Sequence, residues 1–155
     1  MIEFQELLRK LRGPDWARLP TRLLVIDPGE TTGIAIFDRG QIESVKQLTG
    51  AGPAMIQELN EFFRLWPTHV VVEDYKVYAH KTKEHTWSSL FTPKLIGAIE
   101  ALCTLQGLQP VMQMASCKRF VTNDKLRAWN MYVTGPHARD AIRHGCYFLL
   151  FNKDI

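Results

Sequence analysis

A chain of 155 residues, 46% hydrophobic and 23% charged, is long enough for one domain around one core and has the balance of a folded globular protein. Its net charge of +3 and pI near 8.8 admit a nucleic-acid partner without requiring one, so the placement of cations matters more than their sum. No apolar run reaches the roughly 18 residues of a membrane span; Glu3 and Glu6 break any signal-peptide pattern, and Cys103, Cys117 and Cys146 form no CxxC, so a cytoplasmic, reducing location with no membrane partner is expected.

Residues 1–21 read as an amphipathic helix and linker ahead of a main domain, 22–155. In that helix Ile2, Leu7, Leu8 and Leu11 alternate with charges, and Gly13 and Pro14 end it. It packs either on the core or on a partner chain. Leu23–Ile26 is an apolar, partly β-branched run that reads as a buried strand ending on Asp27. Pro28 and Gly29 turn the chain, and Thr32–Phe37 continues as the second strand of a hairpin. A carboxylate at that corner either caps the turn through Gly29 and the threonines or faces a cleft. In a cleft, a cation or a donor must offset the cost of its burial.

Gln41–Leu48, after the Asp38-Arg39-Gly40 turn, is expected to be an edge strand. Ala54–Trp66 reads as a helix with Ile56, Leu59, Phe62, Phe63 and Trp66 on one stripe and Pro67 as its stop. His69–Asp74, HVVVED, has the short apolar run of a strand covered on both faces. Its two closing acids, Glu73 and Asp74, point to opposite faces, so at most one shares the side of Asp27.

Residues 75–92 have no clean period. They hold Lys76, Lys81, Lys83, His80 and His85 against Glu84, with Tyr75, Tyr78 and Trp87 interleaved. Cations for phosphates and rings for bases suggest a nucleic-acid surface; a solvated loop with its rings tucked inward is the alternative. Pro93–Leu105 reads as a helix buried along Leu95, Ile96, Ile99, Leu102 and Cys103, and Pro110–Met114 as a fifth strand. Ser116 is placed to cap a helix from Cys117 to about Asn130 that carries Lys118, Arg119, Lys125 and Arg127. A last helix, Pro136–Phe151, turns Ala138, Ala141, Ile142, Gly145, Cys146 and Leu149 inward, small residues that let it lie close to a sheet. His137 and Asp140 share one face of it, with His144 a turn further on.

Three meandering strands followed by helix-linked ones predict an α/β fold, a five-stranded mixed sheet flanked by helices on both faces. If the first and fourth strands adjoin, Asp27 and Glu73 lie side by side and Asp140 closes a triangle from the covering helix. Three converging carboxylates cannot all stay ionised without cations. Oxygen-only ligation suits Mg²⁺ or Mn²⁺, and two ions about 3.5–4 Å apart serve an in-line attack on a phosphodiester. His137 is either a metal ligand, the favoured role, or a proton carrier.

Asp27-Pro28-Gly29 with Thr32-Gly33, Glu73, and the run His137-Ala138-Arg139-Asp140-Ala141 together resemble the RuvC-type Holliday-junction resolvases of the RNase H-like superfamily. The resemblance spans Arg22 to Leu150. It implies a homodimeric, metal-dependent endonuclease that resolves four-way DNA junctions by paired symmetric nicks. It makes Asp27, Glu73 and Asp140 the acidic ligands and sets His137 at a position that is Asp in some members and His in others. Tyr75, Lys76, Tyr78, Lys81, Lys83, Lys118 and Arg119 are the expected DNA contacts. The chain departs from the family pattern in its longer start, a tighter loop near Thr32, and Lys76 where an aromatic is expected. Its compact form points to a phage or prophage type. Helix 93–105 with the N-terminal helix is the expected dimer surface. The rival readings are the same fold acting on RNA, hybrid or other branched DNA, a non-catalytic DNA-binding module, and an actin-like ATPase fragment, since DPGETTG also resembles that phosphate loop.

Overall fold

The computed structural model describes residues 1–50, 52–75 and 91–155. Their strands are β1 (Leu23–Asp27), β2 (Thr31–Asp38), β3 (Gln41–Thr49), β4 (His69–Asp74) and β5 (Val111–Met114), in the spatial order β3-β2-β1-β4-β5. The first three pair antiparallel as tight hairpins, whereas β4 runs parallel to β1 and β5 parallel to β4. Parallel neighbours need crossovers, and the helices α2 (Pro53–Phe63) and α3 (Phe91–Leu105) lie in those two connections. The remaining helices are α1 (Phe4–Arg12), α4 (Asn123–Ala128) and α5 (Pro136–Phe151). The five-stranded mixed sheet with β3 at its edge is the architecture the sequence predicts.

Strand alternation divides the core into two layers. Leu23, Val25, Ala35, Phe37 and Val71 pack with Phe4 and Leu8 of α1 and with Ala141, Ile142 and Phe148 of α5. On the other face, Leu24, Ile26, Ile34, Val70 and Val72 meet Met55, Leu59 and Phe63 of α2 and Leu95, Ile99 and Cys103 of α3. Burial on both faces is why LLVI and VVV are unbroken apolar runs. It also sets α1 and α3 on opposite sides of the sheet, so the dimer surface expected to combine them is not one face.

α5 lies unusually close to the sheet because two glycines clear its path. A Cβ on Gly33 would stand 1.9 Å from the His137 carbonyl oxygen, and one on Gly145 would stand 2.3 Å from the Phe37 ring. Gly33 is the register partner of Asp27 on one side and of Gln47 on the other. Gln47 Oε1 accepts the N–H groups of His137 at 2.9 Å and Ala138 at 3.2 Å, the cap that the N-terminal Gly135 has no side chain to supply. At the far end Arg12 donates to the carbonyls of Leu149, at 2.6 Å, and Ile155, at 3.2 Å. The N-terminal helix therefore packs on the core and ties down the end of α5.

Two helix expectations need correction. α2 stops at Phe63 rather than Trp66; Trp66 has φ 56 and is 72% exposed, and the buried stripe is Met55, Leu59 and Phe63. The continuous helix expected over 117–130 is instead a 3-10 helix, Ala115–Phe120, followed by the separate α4. The inward residues Cys117, Val121 and Leu126 are spaced four and then five apart, which no single helix face accommodates. Thr122, not Ser116, is the N-cap: its Oγ1 accepts the Lys125 N–H at 3.3 Å.

Gly33→Ala is expected to destabilise the fold by about 1–3 kcal/mol through overpacking against backbone. Gly97→Ala in α3, where an added Cβ meets nothing within 4 Å, is expected to be neutral or to stabilise by up to about 1 kcal/mol. Urea denaturation of the two variants checks the contrast; equal effects would mean that α5 yields freely.

Candidate metal centre

β1 and β4 run side by side with Ile26 opposite Val72, so the residues that follow, Asp27 and Glu73, come at the adjacent ends of the two strands. Period two puts Asp27 with Val25 and Glu73 with Val71, on the face that α5 covers. Asp140 reaches down from α5. One oxygen of each of the three carboxylates lies within 4.8 Å of the others. The turn after β1 is closed by Thr32 instead, whose Oγ1 donates to the Gly29 carbonyl at 2.9 Å, and this leaves Asp27 to the cleft.

The surrounding donors are unevenly shared. Lys118 Nζ bridges Glu73 Oε2 at 2.9 Å and Asp140 Oδ2 at 2.8 Å. His144 Nε2 lies 2.7 Å from the same Glu73 oxygen. Arg143 donates to Asp140 Oδ1 at 2.8 Å and to Asn123 Oδ1 at 2.5 Å. Asp27, with its side chain 8% exposed, has His137 Nδ1 3.1 Å from its Oδ2 and also shares a hydrogen bond with Glu73.

Charge and burial therefore drive the acids apart. Asp27 is pushed up to about 8, first by burial and then by the negative charge of Glu73, with Asp140 adding to it against Lys118. Burial also acts to raise Glu73, but the hydrogen bonds from His144 and Lys118 outweigh it and hold that carboxyl at about 2. Burial acts to lower Lys118, yet its bonds to Asp140 and Glu73 carry it to about 12 and fix it as a cation.

Asp27, Glu73 and Asp140 suit a hard divalent cation. They offer oxygen alone, and an ammonium group already sits between two of them, so positive charge is what the cleft accepts. These three residues would hold the ion, with His137 flanking through Asp27.

Of the residues expected to act, Asp27, Glu73, Asp140 and His137 are brought together. Lys118, expected among the DNA contacts, is turned into the same cluster. Tyr75 lines a cleft beside Glu73 with Pro28, Asp74, Thr92 and Met114. Arg119 is exposed and lies over the Phe120 ring at 5.0 Å. Lys76, Tyr78, Lys81 and Lys83 lie outside the described residues. Sequence reasoning missed Gln47, Gln113, Cys117 and Arg143 and gave His144 no role. The available signal was His144 at i+4 from Asp140, on its face; Gln113 shows only as a polar residue amid VMQM.

No protein-family model matches the chain, and a search of curated proteins returns no match. Solved structures do match. Thermus thermophilus RuvC in complex with a Holliday junction substrate gives a TM-score of 0.66 at 13% identity, over 84% of this chain and 93% of that one. A second T. thermophilus RuvC structure gives 0.59 at 14% identity, over 83% and 93%. The yeast mitochondrial Holliday junction resolvase Ydc2 gives 0.51 at 13% identity, over 94% and 82%. The fold is thus α/β and RNase H-like. More narrowly, it is the fold of the RuvC-type Holliday junction resolvases, as the sequence motifs imply.

The folded-state value of Asp27 lies above its ordinary 3.8, so the native protein binds that proton more tightly than the unfolded chain. Its contribution to stability is full below about pH 4 and is lost as pH rises towards 8. Glu73 acts oppositely: its contribution is present above its ordinary 4.5 and fades as pH falls towards 2. In metal-free protein, Asp27→Asn is expected to gain Tm over the wild type progressively between about pH 4 and 8. Scanning calorimetry across that range checks it, and a pH-independent difference would mean an ordinary Asp27.

Proposed function

We propose that this protein is a divalent-metal-dependent endonuclease that cuts four-way DNA junctions, working as a homodimer that makes paired symmetric nicks. The observation that carries the reading is the gathering of Asp27, Glu73 and Asp140 within 4.8 Å on a RuvC-type fold. A phosphate-binding module has no use for three acids in the cleft that meets phosphate unless cations overcome the repulsion. Buried, unpaired Cys103, Cys117 and Cys146 agree with a reducing, cytoplasmic location, and no helix among the described residues is long and apolar enough to cross a membrane.

Asp27, Glu73 and Asp140 hold Mg²⁺ or Mn²⁺ in this reading. When bound, the ions supply Lewis-acid stabilisation of the phosphoryl charge and make the attacking water more acidic. The chain's own groups do the rest. His137 contacts Asp27 through Nδ1 and its side chain is 44% exposed, so Nε2 is the atom that exchanges a proton with substrate. Lys118 neutralises Glu73 and Asp140 while the cleft is empty of metal and offers its ammonium to an entering phosphate. Tyr75, Arg119 and the basic 75–92 segment, with Lys76, Tyr78, Lys81 and Lys83, extend the contact along the DNA. A four-way junction cut symmetrically needs two such centres, which is the argument for a dimer.

Nicking assays on four-way, forked and RNA–DNA hybrid duplexes test the substrate; cleavage of hybrid but not of junctions would refute it. Asp27→Asn, Glu73→Gln and Asp140→Asn are each expected to cut at least about 100-fold more slowly, the scale for losing a preorganised charge-stabilising group. Junction binding should survive these changes, and its loss alongside cleavage would make the acids structural. Replacing Lys76, Lys81 and Lys83 with Ala should weaken binding and reduce its log–log salt slope by up to about 0.9 per phosphate contact removed. An unchanged slope removes the segment from the interface.

A further inference from the structure

Glu73 is gripped from behind by a histidine with no exposed surface. His144 is 0% exposed on α5, among Ala141, Ile142, Cys146 and Phe148, where an aliphatic side chain would fill the volume with no polar atoms to satisfy. Its Nε2 lies 2.7 Å from Glu73 Oε2. Its other ring nitrogen, Nδ1, lies 3.0 Å from Gln113 Oε1 and 3.2 Å from Cys117 Sγ. Gln113 is the register partner of Glu73 across β4 and β5, and the Cys117 thiol, with one hydrogen to give, lies within reach of both acceptors, 3.4 Å from Gln113 Oε1 and 3.2 Å from Nδ1. Three elements (β5, the 3-10 helix after it, and α5) thus converge on one imidazole.

A carboxylate only accepts, so the hydrogen between Glu73 and His144 belongs to Nε2. Turning the ring over would set carbon against Glu73 and leave buried polar atoms unpaired on both edges, which costs on the order of 1–3 kcal/mol for each lost partner. The orientation is therefore fixed by its surroundings. Lys118 also reaches Glu73 Oε2, but on a flexible stem that it divides with Asp140. Both bonds are made to Oε2, so neither donor engages Oε1.

We propose that His144 is the positioning residue of the metal centre: its Nε2–H bond orients Glu73 so that Asp27 and Asp140 can share a cation with it, and Gln113 and Cys117 hold the imidazole in that pose. The inference rests on the metal-binding reading of the three acids. Lys118 lies on the cleft side, among the acids a cation must reach. His144 reaches Glu73 from within the core, so its bond persists when a cation enters. Donors that steer a metal-binding group in this way affect metal affinity as well as turnover.

Calorimetric titration of the full-length protein with Mn²⁺ alone, without DNA, tests this on wild type, His144→Leu, His144→Asn and His144→Gln. A glutamine amide reaches about as far as Nε2 and keeps a donor for Glu73, whereas an asparagine amide falls near Nδ1 and misses it. Leu and Asn are expected to weaken Mn²⁺ binding by about 10–100-fold, and Gln to recover it to within about threefold of wild type. Long-range ¹⁵N spectra of the metal-free wild type should show a proton on His144 Nε2. Equal affinity for the Gln and Asn variants, wild-type affinity in the Leu variant, or a bare Nε2 each overturns the proposal. If the Leu variant does not fold, the Gln and Asn pair and the wild-type spectrum still decide it. Wild-type protein that takes up no Mn²⁺ overturns the metal reading and this inference with it, while normal wild-type uptake with an indifferent His144 overturns this inference alone.

Discussion

Everything at the site follows from mutual repulsion among Asp27, Glu73 and Asp140, whose oxygens lie within 4.8 Å in a poorly solvated cleft. Such a cluster persists only where positive charge or a proton is present. In the metal-free protein both are: Lys118 bridges two of the acids, and Asp27 is pushed up to about 8 by burial and its neighbours. The cleft is thus built around positive charge, which Lys118 supplies from the chain itself.

The acids can meet only because α5 comes close to the sheet, and one row of residues across three strands arranges that. Asp27 supplies the acid, Gly33 beside it has no Cβ to strike the His137 carbonyl, and Gln47 next in register caps the helix start. A second row does the same for Glu73. Gln113 is its register partner, and His144 spans the two from above. Packing and chemistry are therefore inseparable here: the contacts that stabilise α5 also determine where Asp140 and His137 fall. Arg12 closes the other end of that helix on the carbonyls of Leu149 and Ile155, which makes the N-terminal segment part of the same scaffold.

Features encoded by period and by breakers were legible in the chain. LLVID and HVVVED read as buried strands because both faces are covered, and the carboxylates at their ends follow from counting residues alone. The small residues of 138–146 announced a close helix. Pairings between elements were not legible. Nothing local tells Gln47 that it will cap a helix 90 residues away, or sets Gln113 against Glu73 before the strand order is known. Lys118 looked like a surface cation because residues 117–130 looked like one helix. The step from Val121 to Leu126 breaks that helix, Lys118 lies in the 3-10 helix before the break, and average propensity conceals a break set by burial spacing. Trp66 misled in the opposite sense, as an apolar residue in phase with a helix that had already ended.

Two carboxylates at the ends of adjacent strands, facing the same helix, end up with opposite proton affinities, and the difference lies in their donors. Glu73 receives one hydrogen bond from a fixed imidazole and another from an ammonium, which together outweigh its burial. Asp27 is more deeply buried and lies beside His137 and two negative neighbours, whose effect Lys118 offsets only in part. Burial and negative neighbours thus favour the protonated form of Asp27, while the donors around Glu73 favour its charged form. His137 Nδ1 lies 3.1 Å from Asp27 Oδ2, and its side chain is 44% exposed. The asymmetry between the two acids is thus set by which donors reach each of them, not by their matching positions at the ends of neighbouring strands.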